Sequence, residues 1–165
     1  MINKILIASD HAGFSLKEKL IKNLTVDLTV DLNVDLNKDL LSQSSTKFIL
    51  EDLGPSTDAS VDYPDYAKKV CNEIIKSKDP KTMGVLICGS GQGMSIMANK
   101  FKEIRAALCW SESTAKLSRQ HNNANVLCLS SREISDDLNY KILKVFLSTS
   151  FEGGRHQARL DKFKI

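Results

Sequence analysis

Short apolar runs alternate along the chain with stretches in which apolar residues recur every three or four positions. The runs at 4–9, 47–51, 83–88, 105–110 and 125–130 predict strands, and the stretches at 13–23, 64–77, 93–102, 112–121 and 135–148 predict amphipathic helices. Repeated strand–helix alternation predicts an α/β fold, an open, doubly wound five-stranded parallel sheet with helices on both faces, Rossmann-like in layout. Sheets of this kind bind ligands outside the carboxyl ends of their strands, near a topological switch point. Asp10-His11, Cys88 to Gly93 and Ser130-Ser131-Arg132 each follow a predicted strand, so all fall on that edge.

One segment breaks the pattern. Leu24-Thr25-Val26-Asp27, Leu28-Thr29-Val30-Asp31, Leu32-Asn33-Val34-Asp35 and Leu36-Asn37-Lys38-Asp39 are near-copies of one tetrapeptide. Apolar and polar residues alternate strictly from Leu24 to Leu36, the period of a half-buried strand, and Val, Thr, Asn and Asp are poor helix formers. The expectation is a peripheral insertion at about 24–46 without catalytic role, as an edge strand, hairpin or loop, within a single domain spanning 1–165.

Composition narrows the class. With 165 residues, 42% hydrophobic and 26% charged, the chain is long enough for one self-sufficient core. A formal charge of +3 falls short of the clustered basic footprint of a nucleic-acid binder, so the basic residues better suit a small anion. Cys71, Cys88, Cys109 and Cys128 show no CxxC spacing and no disulfide-scaffold density, which points to reduced thiols in a cytoplasmic protein. No stretch approaches the roughly 18 apolar residues of a membrane span, and the N-terminus lacks a signal core, so no membrane association is expected.

The densest chemistry lies in Ile87-Cys88-Gly89-Ser90-Gly91-Gln92-Gly93-Met94. A strand delivers one thiol to a glycine-rich turn that opens a helix. Outward N–H groups and a helix N-terminus favour a thiolate and would stabilise a substrate oxyanion. An inert buried cysteine is the plainer account of this segment taken alone. Asp10-His11-Ala12-Gly13 presents an acid and an imidazole at the same edge, or merely caps the first helix through Asp10. His121, ending the fourth helix, is adequately explained by the helix dipole. Arg155 and Arg159 are four apart and, on a helix, would share a face suited to phosphate; a solvated basic surface explains them equally well.

Ser9-Asp10-His11-Ala12-Gly13, Asp62-Tyr63-Pro64, Ile87-Cys88-Gly89-Ser90-Gly91-Gln92-Gly93, Ala98-Asn99-Lys100, Ile104-Arg105-Ala106, Ser118-Arg119-Gln120-His121-Asn122 and Glu152-Gly153-Gly154-Arg155-His156-Gln157 occur in one order along the chain. In that order they resemble the type B ribose-5-phosphate isomerases, whose fold is shared by the galactose-6-phosphate isomerase subunits. The resemblance covers nearly everything outside 24–46. It implies interconversion of D-ribose 5-phosphate and D-ribulose 5-phosphate, a step of the non-oxidative pentose phosphate pathway, through a cis-enediol and with no metal or organic cofactor.

Family members place the proton-transferring base either at this cysteine or at a glutamate later in the motif. Met94 and its neighbours offer no carboxylate, which leaves Cys88. By the same resemblance, Gly89, Ser90, Gly91, Gln92 and Gly93 hold the enediolate oxygens, and His121 opens the sugar ring with Asp10 and Tyr63. Arg155 and Arg159 grip the phosphate with His11 and Arg132, Asn122 contacts the sugar, and His156 supports the site from behind.

The family's sites draw residues from two chains, implying a homodimer or a dimer of dimers. Galactose-6-phosphate isomerase subunits divide the thiol and the His-Asn and Arg-His elements between two kinds of chain. Both sets are present here, which implies a self-sufficient homo-oligomer.

A hexose 6-phosphate isomerase of allose or galactose type remains open, as does a phosphosugar-binding module without catalysis. Three scattered histidines without a carboxylate cluster argue against a metal-dependent hydride-shift enzyme.

Overall fold

The computed structural model describes residues 2–30 and 48–163, with side chains undescribed at 27–30. β1 (Lys4–Ser9), β2 (Ile49–Asp52), β3 (Thr82–Cys88), β4 (Ala106–Leu108) and β5 (Val126–Ser130) form one sheet in the order β2-β1-β3-β5-β4. Every neighbouring pair is parallel. Between them run α1 (Phe14–Val30), α2 (Tyr63–Ser77), α3 (Gln92–Ala98), α4 (Glu112–Asn122) and α5 (Asp136–Ser148). A short α6 (Arg155–Leu160) follows.

Alternation along the strands sorts the core into two layers. Ile5, Ile7, Val85, Ile87, Leu127 and Leu129 pack with Leu16 and Leu20 of α1 and Ile142 and Phe146 of α5. Leu6, Ala8, Leu86, Cys88, Val126 and Cys128 pack on the other face with Ala67 and Val70 of α2 and Met94 of α3. All seven residues of β3 are buried, as a central strand covered on both faces requires.

Helix α1 runs well past its expected end at 23 and takes in the first residues of the repeat, which were expected to leave the helix. A tetrapeptide that begins with Leu also places Leu at i and i+4. Leu16, Leu20 and Leu24 therefore form one buried stripe. Extending a helix that is already nucleated is far easier than starting one, which outweighs the weak propensities of Thr, Val and Asp. Thr25 Oγ1 donates to the Ile21 carbonyl at 2.8 Å, consuming its hydroxyl within the helix. The remainder of the repeat, 31–46, lies outside the described residues.

Other boundaries shifted less. Helix α3 stops at Ala98 rather than 102 because the Asn99 side chain pairs with the Ala106 backbone through both its amide nitrogen and its oxygen, each at 2.9 Å. Strand β4 is three residues rather than the six expected at 105–110, as befits an edge strand. Among the described residues, no helix is long and apolar enough to cross a membrane.

Candidate active site

The chain leaves β1 toward α1 on one face and β3 toward α3 on the other, so the crevice between their ends is the switch point. The Asp10 N–H donates to the Ile87 carbonyl at 3.1 Å, and Asp10 Oδ1 accepts the Gly13 N–H at 2.9 Å. A methyl group on Gly13 would stand 2.7 Å from the Ile87 carbonyl oxygen, so only glycine lets the start of α1 approach β3 this closely. Asp10 thus caps the turn that precedes α1, rather than α1 itself, which starts at Phe14, while its second oxygen accepts no hydrogen bond among the described residues. His11 is exposed, and its Nδ1 lies 3.1 Å from the Val61 carbonyl and 3.3 Å from the Val61 nitrogen.

Cys88 is the last residue of β3 and 5% exposed, with its Sγ accepting the Gly91 N–H at 3.1 Å. Gly91 has φ 74°, the left-handed conformation that turns this N–H back toward the sulfur. At seven residues α3 is short, so the directed N–H contributes more here than the helix dipole.

The turn is tied to its neighbours. Ser130 Oγ and the Arg132 N–H donate to the Gly89 carbonyl at 2.7 and 3.1 Å. Ser131 Oγ donates to the carbonyls of Ala12 at 2.9 Å and Cys88 at 3.2 Å. A Cβ on Gly89 would meet the Arg132 guanidinium at 3.2 Å, and one on Gly93 would meet the Tyr63 ring at 2.7 Å. Arg132 and Tyr63 therefore lie against the turn that carries the thiol. Asp10, His11, Tyr63, Cys88 to Gly93 and Arg132 thus share one edge, whereas Met94 is fully buried in the core.

The other predicted residues gather elsewhere. His121 and Asn122 end α4, and Arg155 and Arg159 are exposed on α6, which confirms a helix there. The His121 and His156 rings stack, with centroids 4.2 Å apart and planes at 7°. His156 Nε2 stands 3.5 Å from Glu152 Oε2. Burial, reinforced by the neighbouring His121 and Arg155, pushes the His156 imidazole below its ordinary pKa. Two of the three histidines, expected to be scattered, thus lie together. Glu152 joins them, announced in the sequence by nothing beyond its four-residue spacing from His156.

Register separates the two groups. Val126 pairs with Gly84 and Ser130 with Cys88, and α4 enters β5 at its amino end. His121 and the thiol consequently sit at opposite ends of the strands, with the 84–88 stretch of β3, roughly 13 Å at 3.3 Å per residue, between their levels. One chain carries both halves of the expected constellation but does not bring them together.

The family model for Ribose/Galactose Isomerase matches residues 5–163. The probable ribose-5-phosphate isomerase B of Mycoplasma genitalium is 46% identical over 159 residues, 96% of this chain and 91% of that protein. Ribose-5-phosphate isomerase B of Escherichia coli K12 is 36% identical over 160 residues, 97% of this chain and 93% of that protein. The crystal structure of the M. genitalium enzyme with bound ribulose-5-phosphate superposes with a TM-score of 0.81, covering 98% of this chain and 94% of that one. With a matching family model over nearly its whole length and relatives 46% and 36% identical across nearly all of both chains, the chain belongs to the ribose/galactose isomerase family.

Proposed function

We propose that this protein interconverts D-ribose 5-phosphate and D-ribulose 5-phosphate, with Cys88 as the base. The observation that carries the reading is the Cys88 sulfur at the switch point, receiving the Gly91 N–H beside Asp10 and Ser90. Its relatives are named for this activity, and one holds ribulose-5-phosphate.

Chemistry starts with the cyclic sugar. His121 protonates the ring oxygen while Asp10 takes the proton of the anomeric hydroxyl, and the ring carbon–oxygen bond breaks to give the aldehyde. Tyr63 orients the substrate. The Cys88 thiolate then removes the proton on C2, and that electron pair forms the C1–C2 double bond as the aldehyde oxygen becomes negative. The N–H groups of the 89–93 turn other than that of Gly91, which is directed at the sulfur, and the Ser90 hydroxyl hold the enediolate oxygens. The C2 hydroxyl proton moves to O1, and the Cys88 thiol returns its proton to C1, which leaves the ketone at C2. Arg155 and Arg159, with His11 and Arg132, bind the phosphate, and Asn122 binds the sugar.

The opposed positions of Cys88 and His121 support a site shared between two copies. In a two-fold dimer the thiol edge of each copy meets the His121 edge of the other, and both sites are completed at once. Four free cysteines, all buried, support a cytoplasmic enzyme that keeps its thiols reduced. The remainder of the repeat is, in this reading, a peripheral insertion.

The deciding assay follows ribose 5-phosphate conversion by the purified protein. Turnover is expected, with Cys88→Ala losing it while still binding a substrate-like phosphate. Near-normal turnover in that variant would remove the assigned base. Faster conversion of allose 6-phosphate would transfer the reading to a hexose phosphate.

A further inference from the structure

His121, Glu152 and His156 form a ligand set that isomerisation does not use as a set. Their nearest ligand atoms lie within 4.8 Å of one another. The backbone builds this proximity. The Glu152 N–H donates to the Gln120 carbonyl at 3.1 Å, which pins the acid beside the last turn of α4. Gly153 and Gly154, at φ 67° and 53°, then reverse the chain so that His156 folds back onto His121. A Cβ at either glycine would meet nothing within 4 Å, so glycine serves the conformation rather than the space.

His156 supplies an independent pointer to a ligand. It is 4% exposed, yet its Nε2 has no hydrogen-bond partner among the described residues. A buried, unpaired imidazole nitrogen is costly to keep. It faces the Glu152 carboxylate across a gap of 3.5 Å, too long for a hydrogen bond.

We propose that His121, Glu152 and His156 bind one zinc ion, which inhibits the enzyme by occupying His121. Two imidazoles and one carboxylate leave a fourth tetrahedral position for water, a set that suits Zn²⁺ better than Mg²⁺ or Ca²⁺. Ligand bonds of about 2.0–2.2 Å require the three side chains to draw together and the stacked rings to tilt apart. His121 and Glu152, both partly exposed, are free to make that movement around the buried His156. Arg155 and Arg159 act electrostatically on His156 and so oppose a dication, weakening the site. The inhibitory consequence rests on the ring-opening role proposed for His121.

The test uses the chelator-treated full-length protein and zinc chloride. Equilibrium dialysis should give one zinc per chain, and ribose 5-phosphate turnover should fall over the same concentration range and recover with EDTA. Glu152→Gln alters a half-exposed side chain outside the catalytic machinery. It should weaken both zinc binding and inhibition by about tenfold or more while leaving metal-free turnover near the original. Cobalt substitution should give no thiolate-to-metal charge-transfer band.

Undiminished zinc inhibition in Glu152→Gln, or a thiolate band, would move the ion to Cys88 and overturn the proposal. Failure to retain zinc at submillimolar concentration would overturn it as well. If the metal-free protein turned over no sugar phosphate but bound zinc with Glu152 dependence, the isomerase reading and the inhibitory role would fall while the zinc site stood.

Discussion

Cys88 differs from the three other thiols in what surrounds its sulfur. Burial drives the Cys71 thiol up to about 12, and it raises Cys109 and Cys128 too. At pH 8 a thiol of pKa 12 is ionised in on the order of one molecule in ten thousand, so it is inert to alkylation. Cys88 ends its strand at the glycine turn, where its sulfur accepts the Gly91 N–H. Brief treatment of the native protein with iodoacetamide should label Cys88 ahead of the others, as peptide mass spectrometry would show; preferential labelling of Cys71 would contradict this account. His121→Asn should slow turnover of cyclic ribose 5-phosphate more than of an analogue locked open, because only the former needs its ring oxygen protonated. Equal losses on both would deny His121 that role.

Elements are fastened to one another by contacts that no local pattern announces. Lys17, fully buried on α1, pairs with Asp52 at the end of β2 and with Glu18 at 2.9 Å. Asp52 Oδ1 also accepts the Gly54 N–H at 2.8 Å, and the Gly54 carbonyl accepts the Ser9 N–H at 3.0 Å. The start of the 53–62 connection is thereby tied to β1. Near its far end Val61 holds His11, and Tyr63, which follows it and opens α2, rests on Gly93. Removing Asp52 leaves the buried ammonium to the half-exposed Glu18 carboxylate, whereas replacing Lys17 by Met removes the charge and keeps its volume. Asp52→Ala should therefore cost about 2–4 kcal/mol, and Lys17→Met about 1 kcal/mol or less. Urea midpoints of the two variants would compare them directly.

At the scale of the whole molecule, the opposed halves of the site give a complementation test. Cys88→Ala retains His121, and His121→Asn retains Cys88, so each alone should be nearly inactive. After the two chains are mixed, unfolded and refolded together, half the dimers are mixed and one of their two sites is intact. Activity should return to about one quarter of the original, the statistical value for a two-fold interface that shares its sites. No recovery would mean that each chain completes its site alone.

The parallel α/β plan is legible from the chain alone, because apolar runs and helical spacing are local properties of neighbouring residues. It also placed the thiol turn and the Asp10 loop on one edge, since both directly follow strands. Periodicity misread the start of the repeat, where a four-residue unit satisfies a strand's alternation and a helix's i,i+4 stripe together; Leu24 went to the helix because α1 was already formed. The folded arrangement alone reveals that strand order and register put His121 on the edge opposite Cys88. Only it joined Glu152 and His156 to His121 through the left-handed glycines of α6's approach, and Lys17 to Asp52. Those pairings depend on where distant segments cross in space, and hydrophobic spacing along a chain carries no information about such crossings.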